Sequence, residues 1–319
     1  MATARPVALV TGASRGLGFL LARELADRGH DLVLCARSPE GLRPVAQELA
    51  RHGGAVVEVV ADVGVESDAQ RVVAEAVQRF GRLDVVVLNA GVIQVGPMAE
   101  MDAGDVAAAM EVMFWGVVHT ALAALPPLSR SHGRVLVVTS VGGKLPAPHL
   151  LAYTAAKHAA VGFAEGLRVE AGRSGVSVTV GVPGLMRTGS PRNALFTGER
   201  EAERRWFTVA ASLPVLSMDA GRAARRLVRA TMWRRPEVVL TPLAQLGIRA
   251  HALAPSTSLR LIAGVNRLLP DPTHSGTSPL PGHALGAPRR WFTRLTRGDR
   301  RAARSYHELD DPTPVVPRR

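Results

Sequence analysis

The chain has 319 residues, 47% of them hydrophobic, with 39 basic against 27 acidic side chains and a single cysteine, Cys35. One cysteine excludes an internal disulfide and suits a reducing cytoplasm. An aromatic content of 4% with no aromatic-interleaved basic patch argues against a nucleic-acid partner.

The length predicts one large domain with an extension. No run of 18 or more uncharged apolar residues announces a spanning helix. The sequence passes almost at once into PVALVTG, with no apolar segment and cleavage site ahead of it, so no signal peptide is expected. Short valine-rich runs then recur at 7–10, 32–35, 56–60, 85–88, 135–138 and 176–182. They mostly do not alternate, which is the pattern of strands buried on both faces of a parallel sheet. Segments of helical period lie between them, such as RGLGFLLARELADRG and SDAQRVVAEAVQRFG, each closed by a glycine. Strand and helix alternating at this length predict an α/β fold: a Rossmann-type, doubly wound parallel sheet of about seven strands. The run EVVL at 237–240 supplies a further strand after the helix candidate DAGRAARRLVRATM.

The turn after the first strand reads TGASRGLG, with the spacing Gly12-x-x-x-Gly16-x-Gly18. Glycines there let the backbone approach a dinucleotide pyrophosphate, and the helix N-terminus offers free N–H groups. The second strand ends Cys35-Ala36-Arg37-Ser38, with no acid to accept the ribose hydroxyls. Arg37 and Arg15 suit a 2′-phosphate instead. Further on, Tyr153 and Lys157 stand four apart and share one helix face. A phenol ordinarily titrates near pH 10. A lysine cation about 4 Å away, at an effective dielectric near 20, supplies the roughly 4 kcal/mol that brings it down by about three units.

Five motifs in this order resemble the short-chain dehydrogenase/reductase family, over roughly residues 5–240. TGASRGLG (Gly12, Ser14, Arg15, Gly16, Leu17, Gly18) is similar to its cofactor loop. LNAG, with Asn89, Ala90 and Gly91, resembles its N-A-G motif. Ser140 matches its active-site serine, and YTAAK its Y-x-x-x-K pair. PGLMRT, with Pro183, Gly184 and Thr188, resembles its cofactor clasp. The resemblance implies that Asp62 and Val63 contact the adenine, and that basic residues at 15 and 37 go with NADP(H). It implies that Tyr153 is the general acid in reduction and the base in oxidation, that Lys157 also holds the nicotinamide ribose, and that Ser140 bonds the substrate oxygen. The family usually places an asparagine where this chain has Met113, and a thioether donates no hydrogen bond. The expected function is therefore NADP(H)-dependent hydride transfer to or from a carbonyl or secondary alcohol. The alternatives are an NADP(H)-binding regulatory protein on the same fold and a peripheral membrane adaptor.

Leu145, His149, Met186, Phe196 and Trp206 are the candidate lining of a pocket for a bulky, lipophilic substrate. No His, Cys, Asp and Glu cluster has metal-ligand spacing. Residues 1–242 form the expected catalytic domain. Residues 243–270 read as a helical extension, two short amphipathic helices broken at Pro255, with three fates: packing on the domain, an oligomer contact, or lying on a membrane. A homo-oligomer, dimer or tetramer, is the expected assembly. Residues 271–319 are rich in Pro, Gly and Arg and predict poor order or surface wrapping. Up to residue 189 the chain carries 17 basic and 17 acidic side chains; beyond it, 22 against 10. The basic end, with Arg289, Arg290, Trp291 and Phe292, is the candidate membrane contact. The expected location is the cytoplasm, free or membrane-associated.

Overall fold

A computed structural model describes residues 5–213, 216–272, 278–286 and 296–309. Seven strands form the central sheet: β1 (Val7–Thr11), β2 (Asp31–Ala36), β3 (Val56–Val60), β4 (Val85–Leu88), β6 (Arg134–Val138), β7 (Ser177–Val182) and β11 (Glu237–Val239). Their order is β11-β7-β6-β4-β1-β2-β3, and every pairing is parallel.

Strand side chains alternate between two apolar layers. Leu9, Val33, Val86 and Val135 face α3 (Glu66–Phe80), α5 (Gly116–Ser131) and α6 (Leu151–Ala171). Val10, Leu34, Val87 and Leu136 face α1 (Gly16–Ala26), α2 (Pro39–Ala50) and α8 (Ala220–Met232). Both faces are covered, which is why the strands carry runs of valine rather than an alternating pattern.

The strand order reverses between β1 and β4, so a crevice opens beyond their C-terminal ends. The glycine loop leaves β1 there and Asn89–Gly91 leaves β4. α4 (Ala103–Met110), a π-helical turn (Glu111–Trp115) and α5 run on continuously. By length and composition alone this helix, 103–131, is long and apolar enough to cross a membrane. Its Val117, Ala121, Ala124 and Leu128 are buried in the protein core.

Smaller pairings lie outside the central sheet. β8 (Leu185–Arg187) pairs with β10 (Ser217–Asp219). β9 (Leu195–Phe196) lies between β5 (Gln94–Val95) and β12 (Leu280–Pro281). α7 (Arg200–Ser212) packs beside them. α9 (Pro242–Leu253) and α10 (Pro255–Asn266) form the extension, with Pro255 in the first turn of α10. Two described stretches of residues 271–319 lie against the domain. β12 joins a sheet, and α11 (Arg297–Ser305) packs on α7 and β8, because buried Ala302, Ala303 and Asp299 give it an inward face. Arg289–Phe292 lie outside the described residues.

Candidate active site

The glycine loop and the β4 loop are stapled together at the crevice. Thr11 Oγ1 accepts hydrogen bonds from the Asn89 and Ala90 N–H groups at 3.0 and 3.2 Å. Asn89 Nδ2 donates to the carbonyls of Thr11 and Gly12. The turn is so tight that any side chain at position 18 would run into the Gly12 carbonyl oxygen. One cavity of about 880 Å³ runs from this loop to the substrate side. Gly12, Ser14, Arg15, Gly16, Leu17 and Gly18 line one end. Arg37, Asp62, Val63, Asn89, Ala90 and Gly91 line its flank, and Pro183, Gly184 and Thr188 the opposite wall, although Pro183 and Gly184 belong to the loop before β8.

Arg37 is half-buried on the cavity wall, with Ser38 beside it capping α2 by accepting from the Gly41 N–H. No acid ends β2. Arg15 Nε lies 3.7 Å from Glu308 Oε2, a partner supplied by the far end of the chain. Asp62 accepts from the Gly64 N–H at 3.0 Å, which fixes its carboxylate at the end of β3.

At the other end Ser140 leaves β6 with extended backbone, and its Oγ accepts from the Gly142 N–H at 3.0 Å. Tyr153 and Lys157 project from one face of α6 into the same cavity. Lys157 Nζ donates to the Val138 carbonyl at 2.9 Å and lies 5.8 Å from the centroid of the Tyr153 ring. In the cofactor-free fold, burial outweighs the expected pull of the lysine on the phenol. Burial pushes the Tyr153 phenol up, opposed by a hydrogen bond with Ser140, and burial pushes Lys157 down to about 8. Desolvation is the leading cause at both groups.

Leu145, Met186 and Trp206 line the cavity, together with Phe207 and Leu216. Two expectations are corrected. Phe196 is fully buried against Val95, Ala194 and Phe207 and does not itself line the cavity. His149 turns away: its Nδ1 meets Glu203 Oε1 at 2.7 Å, and Glu203 Oε2 accepts from Trp206 Nε1 at 2.6 Å. A fully buried carboxylate requires such partners, so it claims the imidazole. Met113 sits in the π-helical turn, buried against Ala109, Ala152 and Ala156 and facing Gly91.

Sequence reasoning missed three contributors. Ala244, Gly247, Ile262, Val265 and Leu269 of the extension wall the substrate end. Asn193 and Glu308 line the cofactor end. The one signal for Glu308 is the short island YHELDD at 306–311, acidic within an arginine-rich tail.

Comparison with known proteins agrees with this geometry. The family model for short chain dehydrogenases matches residues 6–195. The 11-beta-hydroxysteroid dehydrogenase 1A of Arabidopsis thaliana is 40% identical over 198 residues, 61% of this chain and 56% of that protein. The chain spans less than two thirds of the length of this and the other hydroxysteroid dehydrogenases matched beside it. A short-chain dehydrogenase structure from Streptomyces avermitilis superposes with a TM-score of 0.70 at 28% identity, covering 84% of this chain and 99% of that one. A short chain dehydrogenase/reductase from Burkholderia phymatum, solved in complex with NAD, superposes with a TM-score of 0.71 at 25% identity, covering 81% and 96%. The ordered motifs, the seven-stranded parallel sheet and the family match lead to one assignment: the chain belongs to the short-chain dehydrogenase/reductase family.

Proposed function

We propose that this protein is an NADP(H)-dependent oxidoreductase acting on a bulky, lipophilic ketone or secondary alcohol, with Tyr153 as the general acid/base. The observation that carries it is the convergence of Ser140, Tyr153 and Lys157 in the cavity that begins at the glycine loop. The residues fit a dinucleotide, since the tight turn at Gly18 brings bare backbone to the N-terminus of α1. When bound, the nicotinamide supplies or accepts the hydride. In reduction, Ser140 hydrogen-bonds the substrate oxygen and Tyr153 gives it the phenolic proton as the C=O bond becomes CH–OH. A phenol raised by burial holds that proton at neutral pH, which suits the acid role. Lys157, a cation below about pH 8, favours the phenolate left behind.

Arg37 on the wall and the absence of an acid at the end of β2 support NADP(H) over NAD(H). Leu145, Met186, Trp206 and the extension support a lipophilic substrate, as do the hydroxysteroid dehydrogenase names of the relatives. The test is a panel of ketones and secondary alcohols followed by NADPH absorbance. Turnover in the wild type, lost in Tyr153→Phe with NADPH binding retained, is the expected result. NADPH binding with no turnover of any compound would favour the regulatory reading, for which Met113 is the motive.

A further inference from the structure

Residues 296–309 return from the far end of the sequence to lie on the glycine loop. The N–H of Gly16, the first residue of α1, donates to the Tyr306 carbonyl at 2.8 Å. Gly16 has φ +56°, and a Cβ added there would lie 2.6 Å from Glu308 Oε1. The carboxylate therefore fills the space that the glycine leaves bare. Glu308 is 4% exposed. Its Oε2 lies 3.7 Å from Arg15 Nε and accepts from Asn193 Nδ2 at 2.5 Å, while its carbonyl accepts from the same amide at 3.2 Å.

The segment is anchored on three sides. Buried Asp299 accepts the Gly189 N–H at 2.9 Å, one residue beyond Thr188 of the clasp. Ala303 packs so closely that a Cβ on Gly189 would lie 2.5 Å from its methyl. The His307 ring meets the edge of Phe19 on α1 at 4.8 Å between centroids, and its Nε2 lies 3.0 Å from Glu48 Oε2 on α2.

These contacts occupy groups that NADP(H) needs: a leading N–H of α1 and the positive end of the helix dipole for the pyrophosphate, and Arg15 for the 2′-phosphate. Two anions cannot share that position. We propose that the C-terminal segment is an internal competitor of the dinucleotide, with Glu308 standing in for the pyrophosphate, so that cofactor binds only when the segment leaves. This rests on reading the glycine loop as the cofactor site. The apparent affinity for cofactor is then reduced by the fraction of molecules whose segment is docked. By linkage, cofactor loosens the segment to the same degree.

The test uses the full chain, with NADPH titrated by calorimetry and segment protection followed by hydrogen exchange. Glu308→Gln keeps the shape and removes the charge, and should bind NADPH about tenfold more tightly than the wild type. Arg304→Ala, exposed on the same segment, should bind like the wild type. In the wild type, saturating NADPH should lower the protection of amides 303–309. Equal affinity in wild type and Glu308→Gln, with protection unchanged or raised by NADPH, overturns the competition and leaves the cofactor site standing. Failure of every form to bind NADPH or NADH overturns the cofactor site and the competition together.

Discussion

Tyr153 and Lys157 show how burial competes with attraction at a single side chain. Lys157 titrates near 8 in the fold against 10.5 as a free side chain, because its ammonium is desolvated. Between those values the unfolded chain binds more protons than the folded one, so stability rises with pH across that window. Below it the folded protein bears the full cost of the buried cation, roughly 3 kcal/mol. Melting the cofactor-free protein from pH 8 to 10.5 should show this climb relative to Lys157→Met; parallel curves would mean that the lysine is not held this way. The role proposed for Arg37 rests on its fixed charge instead. NADPH should bind at least about tenfold more tightly than NADH, near 1.4 kcal/mol, and Arg37→Asp should narrow or reverse the ratio in fluorescence titrations. An unchanged ratio would remove Arg37 from contact with the 2′-phosphate. The paired spacing of Tyr153 and Lys157 was legible because a helix turn forces residues four apart onto one face. His149 was misassigned because its partner, Glu203, lies 54 residues away and no local pattern announces the pair.

The elements hold the site by close approach and by buried polar ties. The turn at 141–143 abuts α6 so tightly that a Cβ on Gly143 would lie 2.7 Å from the Lys157 carbonyl oxygen. Gly143→Ala should therefore push α6 outward, costing about 1–3 kcal/mol and cutting kcat more than cofactor affinity. Wild-type turnover in that variant would show that the helix tolerates the shift. The Glu203 carboxylate links the loop before α6 to Trp206 on α7. Removing it in Glu203→Ala leaves His149 and the indole N–H without their acceptor in a buried place. A loss of about 1–3 kcal/mol for each group left unpaired is expected in denaturant unfolding, and a total under about 1 kcal/mol would refute the tie. Sheet strands and core helices were readable because burial on both faces writes valine runs and helical periods directly into the sequence. The two helices of the extension carried the same signal. α11 did not, because its inward face is two alanines and an aspartate among arginines, too small an apolar stripe to stand out.

Charge and exposed apolar surface coincide only over the whole molecule. The first 189 residues are balanced, 17 against 17, and the remainder carries 22 basic against 10 acidic side chains. α9, α10 and the turn after them add an unusual surface to that basic part. Leu246, Leu253, Leu261 and Leu268 are 66%, 87%, 68% and 84% exposed, with Arg249, Arg260 and Arg267 exposed among them. The inner sides of the same helices wall the substrate end of the cavity through Ala244, Gly247, Ile262 and Val265. Leucines outward, arginines at their edges and a lipophilic cavity behind fit a pair of helices lying on an anionic bilayer. The full chain should sediment with vesicles containing anionic lipid at low salt. Raising the ionic strength should weaken the charge contribution, while a fraction should persist on neutral vesicles if the leucines insert. Cutting the chain before residue 243 would be a poor control, because it would open the cavity and remove the segment on the glycine loop. Changing Leu246, Leu253, Leu261 and Leu268 together to serine keeps both in place and every charge intact. That variant should lose binding to neutral vesicles and keep only the salt-sensitive part on anionic ones. If the wild type ignores anionic vesicles at low salt, α9 and α10 do not meet a membrane, and their leucines are left for a second copy of the chain, which sedimentation equilibrium would reveal.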